Sequence, residues 1–290
     1  MDRPGLSRRE VVSGILALAT VTGVPPAVAA PEELRFGLTP VFLTSDLELL
    51  DRLRSYLEHA TGFPVRLVTR RTYQEITSLL LSGQLDAAWI CGYPFVANQP
   101  RLALVAVPVW RGRPLYRSYL ITGRDRQADG LKALKGDVHA FSDPDSNSGW
   151  LVTAAALARD NRTPERFFGR TIFTYGHRNV IRAVASGLAM SGSVDGYVYE
   201  VMRETEPDLI APTKVIRQSE PMGFPPIACA ASIMDASRTE ALRTALVRMA
   251  DHPDGQAVLR LLRLDGFSIE APGLYDMIAA EMAVVRGGAG

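Results

Sequence analysis

The chain predicts an α/β fold of two lobes, each a mainly parallel sheet flanked by helices, joined by two crossovers around a ligand cleft. Three observations carry this expectation. Short apolar runs alternate with segments of helical period from residue 34 onward, the alternation starts afresh near residue 138, and a proline-rich stretch, Ser219-Glu-Pro-Met-Gly-Phe-Pro-Pro226, interrupts it before the C-terminal third. A chain of 290 residues is long enough for each lobe to bury its own core.

The elements follow in order. Leu34-Arg-Phe-Gly-Leu38 reads as a strand, and residues 46–60 read as an amphipathic helix with Leu47, Leu50, Leu53 and Leu57 on one face. Residues 65–68 make a second strand, 73–82 a helix stopped by Gly83, and 87–90 a third strand, which together form a β-α-β-α-β unit. The strand-like runs 103–110 and 118–122 flank Arg111-Gly-Arg-Pro-Leu115, where the chain is expected to leave the first lobe. The second lobe repeats the pattern: strand 138–141, a helix from Trp150 to Arg159, strand 171–174, helix 178–186 stopped by Gly187, and strand 192–195. After the proline-rich return come an apolar run at 227–233 and helices over 238–251, 255–264 and 273–285, expected to pack back on the first lobe. The lobes are therefore expected as 30–112 with 223–290 and as 113–222. In such a topology the cleft lies at the carboxyl ends of the strands.

One segment carries chemistry by itself. In Phe141-Ser-Asp-Pro-Asp-Ser-Asn-Ser-Gly-Trp150 a strand ends, Asp143-Pro144 turns the chain, and Ser146, Asn147, Ser148 and Gly149 stand where the next helix begins. The first N–H groups of a helix have no internal partner, so hydroxyls and a glycine there can converge on an oxyanion. The same residues also make an ordinary helix cap.

The first 29 residues read as a leader. Ser7-Arg8-Arg9-Glu10-Val11-Val12 has the form of a twin-arginine export signature, followed by an uncharged apolar run at 11–24 and a small-residue cleavage site, Ala27-Val28-Ala29. Of the 32 basic and 31 acidic residues the leader holds Arg3, Arg8, Arg9, Asp2 and Glu10, so the remainder is electrically neutral. That balance gives no basic face for nucleic acid or an anionic membrane. Cys91 and Cys229 are the two cysteines, and His59, His139, His177 and His252 are scattered, so neither a metal site nor a cofactor is expected.

With these segments in this order the chain resembles the periplasmic substrate-binding proteins of phosphonate, phosphite and phosphate ABC transporters. The resemblance rests on Phe36-Gly-Leu-Thr-Pro40, Leu57-Glu-His-Ala-Thr-Gly-Phe-Pro-Val65, Tyr73 within Arg71-Thr-Tyr-Gln-Glu75, Gly83-Gln-Leu-Asp-Ala-Ala-Trp89, Ser146-Asn-Ser-Gly149, and His177 leading to Gly187 and Asp195. It implies the type II periplasmic-binding-protein fold, a monomer in the periplasm, capture of a small oxyanion by cleft closure, and delivery to an ABC permease. By resemblance Tyr73 and Tyr93 serve as phenol donors from the first lobe. Ser146, Asn147 and Ser148 serve from the second, with Asn147 replacing a hydroxyl usual in the family. His177 resembles the family's anion-contacting histidine and, if protonated, would add a charge-assisted hydrogen bond.

Two positions depart from the family pattern, Met190, where the family often carries an acidic residue and which leaves Asp195 as the remaining carboxylate near that strand, and Cys91. Asp195 reads as a contact to a cationic group or protonated oxygen of the ligand, or only as a helix cap. Cys91 places a thiol at the cleft end of its strand, where it reads as a buried small residue, as one half of a disulfide with Cys229, or as an arsenite ligand in a periplasmic sensor that signals to a membrane histidine kinase. A nucleophilic Cys91–His177–Asp195 arrangement can be drawn, but no nucleophile elbow or oxyanion-hole motif brings those residues together, and an enzyme is not expected.

Overall fold

The computed structural model describes residue 1, residues 33–40 and residues 47–288. The leader lies outside the described residues. The strands are β1 (Leu34–Leu38), β2 (Val65–Thr69), β3 (Ala87–Trp89), β4 (Leu102–Val109), β5 (Leu115–Tyr116), β6 (Ser118–Gly123), β7 (Val138–Phe141), β8 (Arg170–Phe173), β9 (Ser191–Asp195), β10 (Thr213–Gln218), β11 (Met222–Gly223), β12 (Ile227–Ala230) and β13 (Gly266–Ser268). They form a six-stranded sheet in the order β13-β4-β12-β3-β1-β2, a five-stranded sheet in the order β10-β6-β9-β7-β8, and a two-stranded ribbon of β5 and β11. The two larger sheets define the two lobes, and the ribbon lies in the two crossovers.

Both sheets are mixed, where the sequence suggested mainly parallel ones. β1 runs parallel to β2 and β3, and β7 runs parallel to β8 and β9, as right-handed β-α-β units require. Each crossover delivers its strand from the opposite direction, so β12 is antiparallel to β3 and β4, and β6 is antiparallel to β9 and β10. The parallel strands end together, at Leu38 beside Trp89 and at Phe141 beside Phe173.

Local chemistry sets the helix starts. Thr72 and Glu75 form a reciprocal capping box that opens the helix Tyr73–Leu81 and fixes Tyr73 at its first position. The helix Leu47–Thr61 buries Leu49, Leu53, Tyr56 and Leu57, whereas Leu47 is exposed; the apolar stripe is turned from the expected one because Tyr56 takes its centre. Asp86, in the Gly83–Trp89 motif, accepts the Arg35 N–H at 2.8 Å and pairs with the guanidinium groups of Arg35 and Arg238, which makes it a structural clamp within the first lobe. The helices Ser237–Val247 and Pro253–Leu262 pack on the first lobe against Leu47–Thr61, as expected. The last helix, Asp276–Gly287, contacts both Gly92–Ala97 and Val152–Ala158, with Glu281 paired to Arg159 at 2.9 Å, so it spans the lobes.

Candidate functional site

Beyond β7, Asp143 Oδ1 accepts the Asp145 N–H at 2.8 Å, and the Ser146 N–H closes on the Asp143 carbonyl at 3.0 Å. Ser146 is extended and its Oγ accepts the Gly149 N–H at 3.0 Å, so it is the helix cap. The chain then enters a π-helical turn at Asn147–Leu151 that continues into the helix Val152–Ala158. Gly149 is required by close approach, since a Cβ there would stand 1.9 Å from Ser142 Oγ. The π turn leaves Ser142 Oγ, Ser148 Oγ and Asn147 Oδ1 buried with no hydrogen-bond partner among the described residues. Three such atoms around one helix start are unusual in a native interior.

The opposite wall comes from the first lobe. Cys91 follows β3 at the cap position of the helix Gly92–Ala97, and its Sγ accepts the Asn147 N–H at 3.2 Å. Tyr73 crosses the cleft twice: its N–H reaches Asp143 Oδ2 at 3.2 Å, and its hydroxyl lies 3.2 Å from His177 Nε2. From the crossovers, Tyr116 Oη and Met222 Sδ receive the Asn147 Nδ2 hydrogens at 2.9 and 3.4 Å. Tyr93 meets the second lobe through its ring, stacked on Trp150 at 6.1 Å with the planes 12° apart, rather than through a recorded hydroxyl contact.

His177 is neutral, contrary to the charged role considered from sequence. Its Nδ1 accepts the Asp195 backbone N–H at 3.1 Å, so in the neutral ring the proton sits on Nε2 and is donated to Tyr73 Oη. Burial pushes the imidazole down to about 3. Both ring nitrogens are occupied. The Tyr73 hydroxyl proton is thereby left to point elsewhere, which makes His177 a device that turns Tyr73 into a donor. Asp195 Oδ1 accepts the Val198 N–H at 3.2 Å and caps the helix Gly196–Thr205, while burial pushes its carboxyl up to about 7. Burial likewise raises the Tyr73 and Tyr116 phenols, and it pushes the Cys91 thiol up to about 12.

The structure thus gathers Tyr73, Cys91, Ser146, Asn147, Ser148, His177 and Asp195 at one place, with Tyr93 at its side. The nucleophilic arrangement does not form: His177 Nδ1 faces the Asp195 backbone rather than its carboxylate, and Cys91, a protonated thiol, accepts from a backbone N–H. Nor is there a disulfide. Both cysteines are free and buried, and Cys229 Sγ lies 3.4 Å from Met234 Sδ.

A protein-family model for the periplasmic substrate-binding protein of phosphonate ABC transporters matches residues 36–271. The chain belongs to this family. It is a family of transport binding proteins, not of enzymes. The phosphate-import protein PhnD of Mycolicibacterium smegmatis is 27% identical over 170 residues, which cover 54% of this chain and 53% of that protein, so the chain spans about half the length of this curated relative. Among solved structures, a binding-protein component of a phosphonate ABC transporter from Pseudomonas aeruginosa superposes with a TM-score of 0.82 at 21% identity, covering 90% of this chain and 88% of the other. PhnD1 of Prochlorococcus marinus, in complex with methylphosphonate, superposes with a TM-score of 0.77 at 16% identity, covering 89% and 99%. These likenesses establish the two-lobed fold for this member of the phosphonate-binding family.

Sequence reasoning missed Tyr116, Ser142, Asp143, Trp150 and Met222. Asp143 was legible only as a turn residue, because its Oδ2 partner, the Tyr73 N–H, lies in the other lobe. Tyr116 and Met222 sit in the two crossovers, where nothing periodic marks them. The available signal was an aromatic and a methionine placed in otherwise polar, proline-bearing connections.

Proposed function

We propose that this protein captures a small phosphorus oxyanion, a phosphonate, phosphite or phosphate, by cleft closure and presents it to an ABC permease. The observation that carries the reading is the set of buried polar atoms at one helix start, Ser142 Oγ, Ser148 Oγ and Asn147 Oδ1, with no hydrogen-bond partner among the described residues, together with a tyrosine whose proton is freed by a neutral histidine. Ser148, Ser142 and Tyr73 supply hydroxyl donors of the kind an oxyanion needs. The lobes are 30–112 with 223–290 and 113–222, and they rotate about the crossovers that hold β5 and β11. Asn147 to Cys91, Tyr73 to Asp143 and Tyr73 to His177 are contacts across the cleft that only a closed form makes. The protein works as a monomer, and the Arg8-Arg9 leader directs it to the periplasm by the twin-arginine route.

Relatives named for phosphate import and found with methylphosphonate support a phosphorus ligand without choosing one. An arsenite sensor is less well supported, since the Cys91 thiol is pushed away from the thiolate that trivalent arsenic would bind. Thermal unfolding against phosphate, phosphite, methylphosphonate, aminoethylphosphonate, sulfate and arsenite tests the reading. A ligand at a hundred times its dissociation constant adds about 2.7 kcal/mol. A raised midpoint with at least one phosphorus compound is expected; a response to arsenite alone, or none at all, would refute it.

A further inference from the structure

The cradle holds donors and acceptors in an unusual ratio. Its donors are the hydroxyls of Ser142, Ser148 and Tyr73, yet Asn147 presents Oδ1, an acceptor with no hydrogen-bond partner among the described residues. The amide orientation is set by its other end, because Nδ2 lies on Tyr116 Oη and on Met222 Sδ, and a thioether sulfur accepts an N–H but offers nothing to an oxygen. The surrounding charges are all of one sign or absent. The titratable groups facing this place are Tyr73 from its helix, Cys91 after β3, Tyr116 from β5, Asp143 and Asp145 from the turn, His177 from its helix, Asp195 from β9 and Tyr275 from the C-terminal segment. Among the described residues three are carboxyl groups, none is Arg or Lys, and His177 is neutral.

We infer that the cleft takes its oxyanion as the protonated monoanion, whose own hydroxyl donates to Asn147 Oδ1, and rejects the fully deprotonated dianion. The inference rests on the oxyanion reading above and narrows it. A dianion would enter a buried site with no cation and leave Asn147 Oδ1 against an unprotonated oxygen, lone pair to lone pair. A monoanion brings one proton and meets an acceptor that has none. Sites built to receive a ligand hydroxyl discriminate strongly against analogues that lack it, because the buried partner is then unpaired. A sulfonate, also a monoanion but with no proton to give, is disfavoured by the same atom.

Calorimetric titration of the protein with methylphosphonate, inorganic phosphate and difluoromethylphosphonate, below and above each ligand's second ionisation, tests this. Affinity is expected to fall by about tenfold per pH unit above that ionisation, the linkage of one proton. The onset should come at lower pH for the fluorinated ligand, and the heat should vary with the buffer's ionisation enthalpy in proportion to one proton taken up. Methanesulfonate should bind more weakly than methylphosphonate at low pH. Affinity that is flat or rises through the ligand's ionisation overturns the inference. So does an onset shared by both phosphonates, which would assign the proton to a protein group such as Asp195. Absence of binding by every phosphorus ligand at every pH overturns the oxyanion reading itself, and this inference with it.

Discussion

His139 and His177 are both fully buried in the second lobe, both have two occupied ring nitrogens, and burial pushes both down to about 3. Their partners separate them. His139 lies between Ser191 Oγ at 2.8 Å and Ser193 Oγ at 2.9 Å and stacks on Phe168 at 4.1 Å, all within its own lobe. His177 takes a backbone N–H on one side and reaches Tyr73 of the other lobe on the other. Burial and protonation state are the same, so they do not distinguish a core histidine from a site histidine. What distinguishes them is whether the partner belongs to the same rigid body.

Removing each ring should break the comparison in opposite directions. The His139→Ala variant takes the imidazole partner from Ser191 Oγ, leaves Ser193 Oγ with Thr153 Oγ1 at 2.7 Å, and opens a cavity beside Phe168; it should lose about 3–5 kcal/mol of stability in urea denaturation, the range for deleting a large buried ring. Oxyanion affinity in the protein that remains folded should not change. His177→Phe should instead lower affinity by about 1.5–3 kcal/mol, the size of a hydrogen bond to a charged group, because Tyr73 no longer has its proton directed. Tyr73→Phe should lose a similar amount. A calorimetric double-mutant cycle should show the double variant no worse than either single one, and simple additivity would mean that the two act separately.

Acid sharpens the comparison further. A histidine whose folded pKa lies near 3 and whose unfolded value is 6.5 is protonated first in the unfolded chain, so stability falls as pH drops through that window, by about 1.4 kcal/mol per pH unit for each ring. Asp195 acts with the opposite sign. Its carboxyl is raised from 3.8 to about 7, so its stabilising share is complete below 3.8 and is lost as pH rises toward 7. Between those values the three groups partly cancel. Denaturation at stepped pH should therefore show Asp195→Asn with a steeper acid loss than the unchanged protein, and a parallel slope would show that Asp195 does not titrate there. The smallest effect is expected for Cys91→Ser, where a hydroxyl replaces the thiol as acceptor of the Asn147 N–H; affinity measured by titration should change by less than about 1 kcal/mol.

Much of the fold was legible because β1, β2, β3 and β7 are short runs rich in apolar residues and the helices Tyr73–Leu81 and His177–Ala185 have clear stops at Gly83 and Gly187, both with positive φ. β10 was not, because Thr213-Lys-Val-Ile-Arg-Gln218 is an edge strand whose charges read as a loop, and β13 has three residues. The helix Gly196–Thr205 begins Gly-Tyr-Val-Tyr, a composition that favours a strand, and only its Asp195 cap signals otherwise. Strand direction escaped because it depends on the crossovers rather than on any local period. In the site, the serines and Asn147 were legible from the helix-start chemistry. The His177 tautomer was not, because a backbone N–H from β9 decides it, and a backbone group leaves no mark in a sequence.

The most direct test is the Ser148→Ala variant, measured twice: for stability without ligand, and for affinity by calorimetric titration with phosphate and methylphosphonate at acidic pH. Ser148 Oγ is buried with no hydrogen bond of ordinary geometry among the described residues, so its removal should leave stability unchanged or raise it by about 1 kcal/mol while affinity falls. Unchanged affinity together with lost stability would make Ser148 an ordinary part of the core and would contradict the account of the helix start as an oxyanion cradle.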